Sequence, residues 1–138
     1  MSALFLITNV FSQTIEIKVK QVEYYSYHEQ FPELLNVRET RSDLNSKYIF
    51  DCDKKIMKTE FKNYPENNSM IPIHVNYSKG GIYTFSFSDT DMETNKLQCK
   101  TLITVDTNKE EVLYTIYTVE RRVFKNFKFT DFEINIYD

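Results

Sequence analysis

Apolar side chains recur at every second position over most of this chain. That spacing marks strands with one face hidden from water. Ile15, Ile17 and Val19 alternate with Glu16, Lys18 and Lys20, and Tyr83, Phe85 and Phe87 alternate with Thr84, Ser86 and Ser88. Ile71, Ile73, Val75 and Tyr77 keep the same period, as do Leu97, Cys99, Thr101, Ile103 and Val105. The phase slips near Lys20–Gln21 and again at Thr130–Asp131, and each slip predicts a β-bulge. Val112 to Val119 is apolar on both phases, which predicts a central strand covered on both sides. Asp53–Lys54, Lys79–Gly80–Gly81 and Asp106 to Lys109 supply turn chemistry between the runs.

Residues 28–46 do not follow this pattern. Pro32 suits the first turn of a short helix near residues 32–38. The same stretch also fits a loop with a short edge strand over 36–41.

The expected fold is therefore all-β: an antiparallel meander of about eight strands, forming a small barrel or sandwich. Composition agrees. Alanine occurs once and glycine twice, while Tyr and Phe number ten and eleven. Scarce Ala disfavours a helical bundle, and scarce Gly disfavours phosphate loops. Residues 14–138 form one domain, long enough to bury a core without metal or dense disulfides. The strand pattern resembles that of lipocalins in architecture alone, since no lipocalin motif is present.

The apolar run from Ala3 to Phe11 has two readings. Residues 1–13 fit the distal part of a secretory signal peptide, although no Lys or Arg precedes the run. That reading places the protein in the periplasm or outside the cell. Alternatively, residues 4–10 are a structural strand of a cytoplasmic protein. The run is too short to span a bilayer. Cys52 and Cys99 are the only cysteines. One disulfide is conceivable, but two unrelated thiols are the favoured reading.

Few residues carry recognisable chemistry. His28 and His74 lack a neighbouring nucleophile motif, and their spacing from the cysteines does not suit zinc. Asp89, Asp91 and Glu93 alternate as calcium ligands do, but Thr94 and Lys100 stand where an EF-hand needs Gly and Glu. Arg121, Arg122, Lys125 and Lys128 interleave with Phe124, Phe127 and Phe129, a pattern that could stack and neutralise a nucleic acid strand. A net charge of −3 disfavours that reading. No cofactor, metal or catalytic residue is assigned, and the chain leans away from being an enzyme.

The expected role is a non-enzymatic binding module, exported, with an unknown protein or an apolar small molecule as partner. Tyr83, Phe85, Phe87, Ile103, Tyr114 and Ile116 are the candidates for a ligand-lined interior, and all six also suit an ordinary packed core. Tyr24, Tyr25, Tyr27 and Tyr64 are the candidates for a partner surface, because tyrosine gives large contact area at small entropic cost. The alternative is an intracellular protein-interaction or viral accessory protein.

Overall fold

The computed structural model describes residues 13–42, 45–78 and 80–137. The apolar run at 3–11, with both readings of it, lies outside these residues. Among the described residues ten strands follow one another: β1 (Thr14–His28), β2 (Phe31–Arg41), β3 (Ser46–Asp51), β4 (Ile56–Phe61), β5 (Ser69–Pro72), β6 (His74–Ser78), β7 (Ile82–Thr90), β8 (Leu97–Asp106), β9 (Glu111–Thr118) and β10 (Val123–Tyr137). A short 3-10 turn at Pro65–Asn67 is the helical element among the described residues.

All ladders are antiparallel, and the strand order is β5-β4-β3-β1-β10-β9-β8-β7-β6, with β2 also on β1. Two pairs of strands each act as one stave. β3 pairs with Thr14–Val19 of β1, and β2 pairs with Val22–His28 of the same edge. β5 pairs with β4, and after Ile73 the chain changes partner, so that β6 pairs with β7. The ten strands thus make eight staves in up-and-down order, nearly closed into a barrel. Ile73 marks the seam, where its N–H donates to the Lys55 carbonyl.

Closure depends on the ladder between β1 and β10, which runs from Thr14↔Tyr137 to His28↔Val123. The two expected bulges lie opposite each other in it. Lys20 is skipped on one strand and Thr130 on the other, so Val19 pairs Phe132 and Val22 pairs Phe129. The Thr130 hydroxyl donates to Gln21 Oε1 across the bulge, 3.2 Å away. An extra residue on each strand sharpens the local twist. Here it keeps Val19 and Val22 both facing inward.

The stretch at 32–38 is strand, not helix. Pro32 falls between Phe31 and Leu35, where the β1–β2 register slips, so its missing N–H costs no regular ladder bond. Val112 to Val119 is likewise not covered on both sides. Only Val112 is buried; from Leu113 to Thr118 the strand is half-buried, looking into the barrel on one face and lying along its outside on the other.

The turns use the residues the sequence offers. Asp106 Oδ1 accepts from the Asn108 and Lys109 N–H groups, and Asp51 Oδ1 accepts from that of Lys54. Between β6 and β7, Gly81 has φ +78°, and a Cβ there would lie 2.3 Å from Thr107 Oγ1. Any side chain at Gly81 would meet both strain and a clash.

One end of the barrel, beside the 51–56 and 106–111 turns, is filled. Ile15, Ile17, Phe50, Met57, Phe85 and Val105 are at most 1% exposed. The Phe50 and Phe85 rings stack at 4.1 Å with 9° between planes. Cys52 is buried and Cys99 half-buried, and both are free thiols. Burial, with Asp51 adding to it, pushes the Cys52 thiol up to about 11. A thiol-specific reagent near neutral pH is expected to label Cys99 in the folded protein and Cys52 only after unfolding. Equal labelling rates for the two would contradict this packing.

Candidate functional site

At the other end the interior is hollow. A cavity of about 400 Å³, open to solvent, is lined by Val19, Val22, Arg41, Ser42, Ser46, Tyr48, Phe61, Asn63, Tyr64, Tyr114, Ile116, Phe127 and Phe129. At roughly 30 Å³ per water, it would hold on the order of a dozen waters. The barrel geometry explains why these side chains converge. The strand residues among them occupy the inward phase, continuing Ile15–Ile17 on β1, Phe50 on β3, Met57 on β4 and Val112 on β9, while Ser42, Asn63 and Tyr64 come from the connections at the mouth.

Aromatic rings build the wall. Tyr48 contacts Phe129 at 5.7 Å, Tyr114 at 5.8 Å and Phe61 edge-on at 6.1 Å. Tyr114 in turn meets Phe127 edge-on at 6.1 Å. Such tilted and edge-to-face arrangements suit the ring quadrupoles. Burial pushes the Tyr48 hydroxyl up to about 12. It raises that of Tyr114 further, with Tyr48 and Asp89 adding to the effect. Neither hydroxyl makes a hydrogen bond to the described residues. Both phenols stay neutral at physiological pH and can donate to a guest.

Arg41 stands at the rim. Its partner across the ladder is the inward-facing Val22, so Arg41 also faces inward. Its guanidinium carbon lies 4.4 Å from the Tyr24 ring centre and 5.7 Å from that of Phe127. Glu39, two residues earlier on the same face, accepts from Arg41 Nε and Nη2 through Oε1, both at 2.7 Å. Nη1 has no partner among the described residues.

The residues singled out from sequence divide among several places. Tyr114 and Ile116 line the cavity, and Tyr64, 60% exposed, sits at its mouth. Tyr83, Phe85 and Ile103 belong to the filled core, with Phe87 packed against it. The Tyr83 hydroxyl donates to the Gln13 side chain. Tyr24 is buried against Phe127 at 4.9 Å, beneath Arg41. Tyr25 and Tyr27 lie on the opposite, outer face, stacked at 6.5 Å, and Phe124 and Tyr117 extend that row across β10 and β9. The Tyr117 hydroxyl donates to Glu29, a bond that raises its pKa. The tyrosine cluster is therefore split between two faces, as neighbouring residues on a strand must be.

The other motifs have local structural roles. His28 Nδ1 accepts from the Gln30 N–H in the β1–β2 turn, and His74 is exposed on β6. Asp91 caps its own loop, accepting from the Glu93 and Thr94 N–H groups. Among the described residues no group of His, Cys, Asp or Glu is placed to hold a metal, and no helix is long and apolar enough to cross a membrane.

Sequence reasoning did not single out Arg41, Tyr48 or Phe61. Tyr48 carried the right strand phase, but periodicity cannot distinguish a hollow interior from a filled one. Arg41 lies in the stretch without alternation, so nothing marked it as inward-facing. Comparison of the chain with protein-family models, with curated proteins and with solved structures found no match.

Proposed function

We propose that this protein is a non-enzymatic binding module that holds an apolar small molecule in the open end of its barrel. The observation that carries this reading is the 400 Å³ cavity walled by Tyr48, Phe61, Tyr114, Ile116, Phe127 and Phe129. Its size falls within the range of small-ligand pockets, and its walls are mainly aromatic. Water in such a space has few partners, so an apolar guest that releases it gains the hydrophobic term at every covered ring. A few polar groups, Ser42, Ser46, Asn63 and the two tyrosine hydroxyls, would set the guest's orientation.

The test is titration with a neutral fluorescent probe such as N-phenylnaphthylamine. One probe per chain is expected to bind with enhanced emission. Ile116→Trp fills the cavity and is expected to weaken binding by at least about tenfold, which is about 1.4 kcal/mol. Leu102→Trp, on the exposed face of β8, leaves it unchanged. Absence of binding, or equal effects of the two substitutions, would defeat the proposal.

A further inference from the structure

The cavity is apolar within and cationic at its rim, and that asymmetry bears on the kind of guest it takes. The Arg41 side chain is 45% exposed, so its charge carries little burial cost and stays within reach of a guest entering from solvent. Glu39 matches it only in part, because both contacts go to one carboxylate oxygen and Nη1 is left over. The guanidinium is also positioned. It rests over Tyr24 and Phe127, and the Phe127 ring is itself part of the cavity wall. Cation and apolar wall therefore share one boundary, within the length of a small molecule.

Resting on the proposed binding role, we infer that the guest is an amphipathic monoanion: an apolar body among Tyr114, Ile116, Phe127 and Phe129, with a carboxylate at Arg41. A guanidinium presents N–H groups in a planar fork that fits two carboxylate oxygens. Glu39 occupies the position of a competing carboxylate and holds the fork in place while the site is empty. An ammonium-bearing guest is disfavoured, since its charge would face Arg41 at close range. A neutral guest would leave the Arg41–Glu39 pair undisturbed and gain nothing from it.

Dodecanoate, dodecanol and dodecylammonium separate these cases, because they share one apolar chain and differ in charge. Each is titrated by calorimetry below the concentration at which it forms micelles. Dodecanoate is expected to bind at least about tenfold more tightly than dodecanol, the scale of one charge-assisted hydrogen bond. Arg41→Gln is expected to erase that preference, bringing dodecanoate to the affinity of dodecanol. Glu39→Gln, which removes the competing carboxylate, is expected to tighten dodecanoate alone. Equal affinity for dodecanoate and dodecanol, or preference for dodecylammonium, would overturn the charge inference while the apolar cavity reading stood. Failure of all three ligands to bind the unsubstituted protein would remove both readings. The comparison on that protein decides the matter even if a variant does not fold.

Discussion

Phe85→Ala is expected to lower the stability of this protein by about 3–5 kcal/mol, the usual cost of removing a large aromatic from a closed core. Phe85 is fully buried, stacked on Phe50 at 4.1 Å, with the Tyr83 ring near parallel at 6.2 Å. Ile15, Ile17 and Met57 in the same cluster are equally inaccessible, so the lost ring leaves a void that little can move to fill. Domains of this kind are stable by only about 5–15 kcal/mol, so the substitution removes a large part of the total. Urea unfolding followed by circular dichroism measures it: the midpoint should fall while the slope stays constant. Leu34→Ala serves as the contrast. Leu34 is 62% exposed on β2, and its truncation should change stability by no more than about 0.5 kcal/mol. A similar, small effect of both substitutions would show that the filled end is not the stabilising core.

Strong alkali is expected to weaken the fold through the tyrosines that wall the cavity. Burial holds the Tyr48 proton up to about 12, whereas an unfolded chain releases it near the ordinary tyrosine value of 10.0. Below the unfolded pKa both states keep the proton, and stability does not depend on pH through this group. Above it, the unfolded state loses protons that the folded state retains, so stability falls as pH rises. Two pH units correspond to about 3 kcal/mol for Tyr48. Tyr114, raised further by burial, prolongs the decline beyond that window. Tyr48→Phe should make the loss between about pH 10 and about pH 12 shallower, because phenylalanine has no proton to release. Unfolding midpoints across that range for both proteins would show it. Identical pH profiles would mean that the Tyr48 hydroxyl is far wetter than its surroundings imply.

Much of the architecture could be read from the sequence because strand phase is a direct record of which face meets water. Ile15, Ile17 and Val19 marked β1, Tyr83 and Phe85 marked β7, and the slips at Lys20 and Thr130 located both bulges. The expected count of about eight corresponds to staves rather than to strands, since β2 continues into β3 and β5 into β6 along a shared course. β2 was legible only in its second half, as the edge strand over 36–41, for a physical reason. Phe31, Leu34 and Leu35 are all exposed, so no hidden face imposed a period, and Pro32 suggested a helix start instead. The cavity was legible only in part. Tyr114 and Ile116 carried the inward phase and line it, but Phe85 and Ile103 carried the same phase and are packed solid. Whether an inward side chain meets another side chain or an empty space depends on contacts across the barrel, between residues far apart in the chain. Alternation along a single strand holds no information about them.

The ladder that joins β1 to β10 has a consequence during synthesis. β1 is the first described strand to leave the ribosome, yet one whole edge of it has to wait for the last. Hairpins such as β3–β4 and β7–β8 can form as they emerge, but the ring stays open, with Ile15, Ile17 and Val19 lacking their facing row, until β10 is free to zip against it. Until that moment the nascent chain carries a bare margin on which another copy could zip in place of β10.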